Sequence, residues 1–169
     1  MPELPTLHGE RLLLRSPRAE DAKPLAAILA EPEVARWWGS YDVERVRREL
    51  FDETDGWVIE VEGAVAGWLQ YEEETDPDYR SVAFDISLTT PLHGRHYGRE
   101  ALRVAIDHFA ARGHHRFTID PAAANERAIR AYTAVGFRPV GVMRAYERGA
   151  DGTWHDNVLM DLLASELRG

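Results

Sequence analysis

The sequence predicts an α+β fold: a single mixed, mostly antiparallel sheet flanked by helices. Three observations predict it. Strand-like and helix-like segments follow one another in the order β-α-α-β-β-β-α-β-α-β-β. Two tight connections, at Gly63 and at Asp151-Gly152, read as hairpins. A long amphipathic helix, residues 97–112, lies between two strand segments, which makes those strands a parallel pair inside an otherwise antiparallel sheet. Residues 1–169 carry no repeat, linker or low-complexity tract and are expected to form one domain.

The elements follow from pattern and punctuation. Residues 10–15 alternate Leu12 and Leu14 with Arg11 and Arg15, as a strand does. Residues 20–30 place Ala22, Leu25, Ala26 and Leu29 on one helical face, and Pro32 stops the helix. Trp37-Trp38-Gly39 is read as a loop, and residues 43–51 as a charged second helix. Strands at 56–62 and 64–71 flank Gly63. Residues 72–78 read as an acidic loop leading into a strand at 80–88. In the long helix, Ala101, Leu102, Ala105, Ile106 and Phe109 face inward, and Gly113 is its stop. A short strand at 115–119 and a helix at 125–135, closed by Gly136, come next. Strands at 137–147 and 153–163 form the last hairpin.

Composition narrows the function classes. The chain has no cysteine, which excludes disulfides, thiolate metal sites and a cysteine nucleophile. Twenty basic against 29 acidic residues leave a net charge of −9, the wrong sign for general nucleic-acid binding and a favourable one for a cationic small molecule. No segment has signal-peptide or bilayer-spanning character, so the chain is expected to be cytoplasmic and not membrane-bound. Monomer and homodimer both remain open.

Two stretches carry chemistry. Leu88-Thr89-Thr90-Pro91-Leu92-His93-Gly94-Arg95-His96-Tyr97-Gly98-Arg99 joins a strand to a helix. A helix N-terminus offers unpaired amides and a positive dipole end, and Gly94 and Gly98 let the backbone curl around an anion. With Arg95 and Arg99, the segment suits a diphosphate. Further on, Asn125 is a good N-cap, and Tyr132 lies about two turns beyond it on nearly the same side. A phenol there can donate a proton to a leaving group, or sit in the core with its hydroxyl bonded to backbone.

The pattern Asn-x-x-Ala-x-x-x-Tyr-x-x-x-Gly-Phe from Asn125 to Phe137, preceded by Gly-Arg-x-x-Gly from Gly94 to Gly98, resembles the GCN5-related N-acetyltransferase (GNAT) superfamily. The resemblance spans nearly the whole chain, so residues 1–169 would be a single N-acetyltransferase domain. It implies that acetyl-CoA lies where the parallel strands 80–88 and 115–119 splay apart. Backbone groups near Ser87 and Leu88 would pair with the pantetheine arm, and Thr89 would end that edge. The segment His93, Gly94, Arg95, His96, Tyr97, Gly98 and Arg99 would hold the pyrophosphate. Asn125 would reach the pantetheine, and Tyr132 would protonate the departing thiolate. No metal is implied. The family loop usually reads Gln/Arg-x-x-Gly-x-Gly/Ala; here His93 and His96 replace the first and fourth positions.

Acyl transfer to an ammonium group first requires a proton to be removed. Asp85, alone among apolar strand residues and just ahead of the loop, is the candidate base. Asp120 ends the neighbouring strand, where it either faces the same pocket or serves as a turn residue before Pro121. The acidic run with Glu74 and the aromatic Trp38 would complete a site for a small polycationic amine. Trp-Trp-Gly, Glu-Glu-Glu-Thr-Asp-Pro, the strand Asp and Asp-Pro-x-x-x-Asn-x-Arg-Ala-Ile-Arg-x-Tyr together resemble the aminoglycoside 6′-N-acetyltransferase branch. That resemblance implies Asp85 as base, Trp38 and Asp120 lining the antibiotic site, and Asp151 or Asp156 as a further carboxylate. Two alternatives stand beside it. The chain's two ends also resemble ribosomal-protein N-terminal acetyltransferases, and a non-catalytic acyl-CoA-binding protein could use the same fold.

Overall fold

The structure is a computed structural model that describes residues 3–167. Its elements are β1 (Leu7–His8), β2 (Leu13–Arg15), α1 (Ala22–Leu29), α2 (Pro32–Trp38) and α3 (Val43–Arg45), which runs on as a π-helical segment through Val46–Asp52. Next come β3 (Asp55–Val61), β4 (Ala64–Glu74), β5 (Ser81–Leu88), α4 (Tyr97–Ala111), β6 (Arg116–Ile119), α5 (Glu126–Val135), β7 (Arg138–Arg148) and β8 (Trp154–Leu163). They build one eight-stranded sheet in the order β1-β2-β3-β4-β5-β6-β8-β7. Only β5 and β6 are parallel, and α4 makes the crossover between them, as its place in the chain requires.

Strand alternation divides the core in two. Trp57, Ile59, Leu69, Val82 and Phe84 face α4, whose Ala101, Leu102, Ala105, Ile106 and Phe109 are fully buried against them. Each large side chain there contributes about 1.5–3 kcal/mol of burial. A charge at Ile106 would therefore unseat the helix that carries the proposed anion site. Val58 and Trp68 point to the other face, where α1, α2 and α3 bury Leu25, Leu29, Val34, Leu50 and Phe51. Asp85, one position from Phe84, shares that second face.

Four expectations need correction. Trp37 and Trp38 belong to α2 and not to a loop. Pro32, read as a stop, opens that helix at its first turn, where its missing amide leaves nothing unpaired. Glu72, Glu73 and Glu74 extend β4 opposite Ala83, Val82 and Ser81, so the loop begins only after Glu74. The pairing energy of a long hairpin outweighs the weak strand propensity of glutamate. The first strand is interrupted: β1 and β2 pair as Leu7↔Leu14 and His8↔Leu13 around a turn at Gly9.

Candidate active site

The parallel pair is in register only from Ser81↔Arg116 to Phe84↔Ile119. Beyond that point each strand keeps its other neighbour. β5 stays paired with β4 through Leu88↔Gly67. The chain after β6 stays with β8: the Val158 amide donates to Pro121 O (2.9 Å), the Ala123 amide donates to Asp156 O (2.9 Å), and Ala122 bridges Asn157. Two strands tied to diverging partners must part, and a cavity of about 430 Å³ opens between β5, α2, the first turn of α4, and α5.

One wall of the cavity is backbone. The Thr89 amide bonds Ala66 O at 2.8 Å, so the antiparallel alternation turns Ser87 toward β4 and turns the peptide groups of Ile86 and Leu88 toward the opening. Trp38 Nε1 donates to Ile86 O (3.3 Å) and His93 Nε2 donates to Leu88 O (2.7 Å). Each carbonyl retains a second lone pair. Burial pushes the His93 pKa down, so its imidazole is neutral with the proton on Nε2. Ser87, read as a pantetheine partner through its backbone, instead presents a buried, unpartnered Oγ to the cavity wall. Ile86, which sequence reading passed over, carries the open edge; only the ladder's hydrogen-bond phase reveals it.

The loop is shaped for an anion. Gly94 (φ 75°) and His96 (φ 67°) both adopt the left-handed conformation, and α4 starts at Tyr97 with its first amides unpaired within the helix. His96 thus takes a backbone shape that glycine adopts freely, at a cost of about 1–2 kcal/mol. Gly98 lets α4 approach the sheet: a Cβ there would lie 3.3 Å from the Leu88 side chain. Behind the loop, Arg11 donates to Arg95 O (3.0 Å) and to Glu100 (2.9 Å), and its guanidinium lies 4.0 Å over the Tyr97 ring. Glu31, another residue without a sequence signal, clamps the loop's start: it accepts from the Thr90 amide (2.6 Å), Thr90 Oγ1 (2.7 Å) and Thr89 Oγ1 (2.7 Å). His93, Gly94, His96, Tyr97, Gly98 and Arg99 all line the cavity, and the Arg95 guanidinium lies 5.6 Å over the Tyr97 ring. Asn125 caps α5 by accepting from the Ala128 amide (3.2 Å) and also lines the cavity.

The open edge, the convergent amides and the cavity between them fit a pantetheine arm and its diphosphate. When bound, acetyl-CoA supplies the activated acetyl thioester.

The other side of the opening is acidic. Asp85 is open to solvent at the cleft yet ringed by protein, and its pKa is pushed up to about 7. Desolvation is the main cause, followed by the charge of Asp120; the Ile86 amide, donating to Asp85 Oδ1 at 2.9 Å, opposes the rise. Burial also raises the Asp120 pKa, while the Tyr146 hydroxyl favours its ionised form. Glu147 adds its charge to both carboxylates. Tyr132, reached by the charge of Asp85, is pushed above its ordinary pKa, first by burial, so its phenol keeps its proton. Trp38 packs edge-on against Tyr41 at 6.3 Å, and Tyr41 also feels the charge of Asp85.

Tyr146 and Glu147 reach this site because β7 bulges. Met143 pairs with Asn157 and Glu147 with His155, so β7 carries extra residues, with Ala145 at φ 47°. Bulges of this kind re-aim side chains. The Ala145 amide is held by Asp156 Oδ1 (2.8 Å). Asn157 Nδ2 donates to Asp120 O (2.9 Å) and Glu147 Oε2 (3.1 Å), tying the two walls together. Asp156 is therefore the bulge's fastener, occupied by backbone. Asp151 is held by His155 (2.9 Å) at the hairpin tip. Glu74 pairs with Ser81, four residues from Asp85 along β5, and caps the turn by accepting from the Asp76 amide (2.9 Å). Asp85, Asp120, Trp38 and Tyr132 converge around the cleft; Glu74 and Asp156 do not join them.

Among the described residues, no three metal-ligating side chains lie together. No helix among them is long and apolar enough to cross a membrane.

The acetyltransferase (GNAT) domain family matches residues 11–138. An uncharacterized N-acetyltransferase, p20 of Bacillus licheniformis, is 26% identical over 180 residues, covering 97% of this chain and 99% of its own. The ribosomal-protein-S5-alanine acetyltransferase of Vibrio fischeri superimposes with a TM-score of 0.78 at 21% identity, covering 98% of this chain and 100% of its own. The spermidine N-acetyltransferase of Vibrio cholerae, solved with CoA and spermine, gives a TM-score of 0.76 at 18% identity, covering 92% and 97%. At these identities the two structures speak to the fold.

Proposed function

The chain belongs to the GNAT acetyltransferase family, and from that premise we propose that it transfers acetyl from acetyl-CoA to a primary amine of a small polycation, foremost the 6′-amine of an aminoglycoside, with residues 1–169 serving as a single N-acetyltransferase domain. The observation that carries this reading is the convergence of Asp85, Asp120 and Glu147 on the mouth of the cleft. A peptide N-terminus brings one positive charge; this site presents several negative ones, with Trp38 and Tyr41 as an aromatic wall. The spermine bound to the Vibrio cholerae enzyme is a polycation of the same kind, which supports the wider substrate class.

The residues divide the work. Asp85, its pKa pushed up to about 7, takes the proton from the incoming ammonium group. Asp120 and Glu147 hold further positive charge of the same substrate. The Ile86 and Leu88 edge aligns the thioester beside the amine, which removes most of the entropic cost of the encounter. Tyr132 gives its proton to the departing sulfur. The ribosomal-protein reading has the fold likeness of the Vibrio fischeri enzyme behind it, but an acidic, open acceptor site suits it less well.

The test is a panel assay of CoA release from acetyl-CoA with kanamycin, spermidine and N-terminal peptides as acceptors. Kanamycin should give the highest kcat/KM. Turnover confined to peptides would overturn the polycation reading, and turnover of spermidine alone would move the acceptor from sugar to polyamine.

A further inference from the structure

We propose that Arg127 and Arg130 hold the ribose 3′-phosphate of coenzyme A, so that the protein selects CoA over 3′-dephospho-CoA. CoA carries two separate anionic groups, the diphosphate and the 3′-phosphate. The α4 loop, with its convergent amides at Gly94 to Gly98, offers one diphosphate-sized site. Three arginines line the cavity: Arg99 comes from α4 beside the diphosphate loop, while Arg127 and Arg130 come from the facing wall on α5.

The two α5 arginines are available for a ligand. Among the described residues, Arg127 makes no salt bridge, and the contact of Arg130 with Glu126 is a loose 3.9 Å between side chains that are 72% and 83% exposed. Such a pair has little energy of its own. Three residues apart, they project from neighbouring positions on the first turns of α5, where the helix dipole adds to their charge. The charge of Arg127 reaches both His93 on the loop and Tyr132 inside the cleft, so this side chain stands over the cavity and not behind it. Two guanidinium groups match a phosphate dianion in geometry as well as in charge. The one carboxylate lining the cavity, Glu33, belongs to α2 across the opening.

The whole-molecule charge makes this arrangement consequential. At a net −9 the protein repels a polyanion at long range. A cluster of arginines without strong partners around one cavity reverses that field locally. The inference concerns the acetyl donor alone and stands whatever the acceptor amine proves to be.

The experiment is calorimetric titration of the protein with CoA and with 3′-dephospho-CoA. Wild type should bind CoA at least about tenfold tighter, the size expected for one charged hydrogen-bonded contact. The Arg127→Gln/Arg130→Gln double variant should bind the two ligands equally, with dephospho-CoA affinity unchanged. The Arg127→Lys/Arg130→Lys pair, which keeps the charge, should retain part of the preference and serves as the readout if the glutamine pair does not fold. No preference in wild type would overturn the proposal. So would an equal loss for both ligands, which would place the arginines on the diphosphate, and so would a preference that survives in the glutamine pair.

Discussion

The two sides of the cleft are built from different materials. Where the pantetheine and diphosphate would lie, the donor side is backbone: the Ile86 and Leu88 peptide groups, and the amides of a helix N-terminus whose loop is curled by Gly94 and His96. The acceptor side is side chains: Asp85, Asp120, Tyr132, Tyr146 and Glu147. Backbone recognition tolerates sequence change as long as the conformation holds, which explains how two histidines can stand in a loop where the family uses other residues. Side-chain recognition has no such tolerance. Replacing one carboxylate alters charge, proton affinity and geometry together.

The largest effect should come from Asp85→Asn. If it is the base, kcat/KM should fall by about 10²–10⁴-fold, while CoA affinity measured by titration stays unchanged. A variant that loses both would break the division between the two sides. The same substitution has a stability signature. Asp85 binds its proton more tightly in the folded than in the unfolded chain, so ionising it costs stability as pH rises from about 4 to about 7. Thermal melts should therefore show Asp85→Asn gaining on wild type at pH 8 and not at pH 4.

A smaller effect sharpens the electrostatics of the acceptor side. The acid limb of the kcat/KM profile should fall near pH 7, because the ionised form of Asp85 is the active one. In Asp120→Asn a neighbouring negative charge is gone, so that limb should move to lower pH. A limb that stays in place would show that the Asp120 charge does not set the proton affinity of Asp85.

The smallest effect belongs to the donor side. His96→Gly should stabilise the fold by up to about 1 kcal/mol in denaturant melts, since the left-handed conformation no longer strains a side chain. CoA affinity should hold or improve. Weaker binding would mean that the imidazole itself touches the ligand and that the diphosphate loop does not bind through backbone alone.

Much of this was legible in the amino-acid order. Local periodicity and punctuation placed α4 and its buried face, α5 with its Asn125 cap, the parallel β5–β6 pair and the loop between β5 and α4. A lone aspartate in an apolar strand pointed to Asp85. These features are local, set by neighbours within one or two turns or one strand. What depended on distant partners was not readable. β4 runs to Glu74 because β5 pairs with it, and Ile86 carries the open edge because the ladder's phase is counted from Ala66. Tyr146 and Glu147 both reach the rim of the site because an irregularity in β7, held by Asp156, breaks the strand's alternation. The sequence by itself determined most of the segments that became strands and helices, and it named the loop and the aspartate on which the proposed anion site and base rest. Only the tertiary structure decided which carboxylates share the cleft, because a bulge breaks the regular alternation of side chains along a strand, and no local pattern records the bulge.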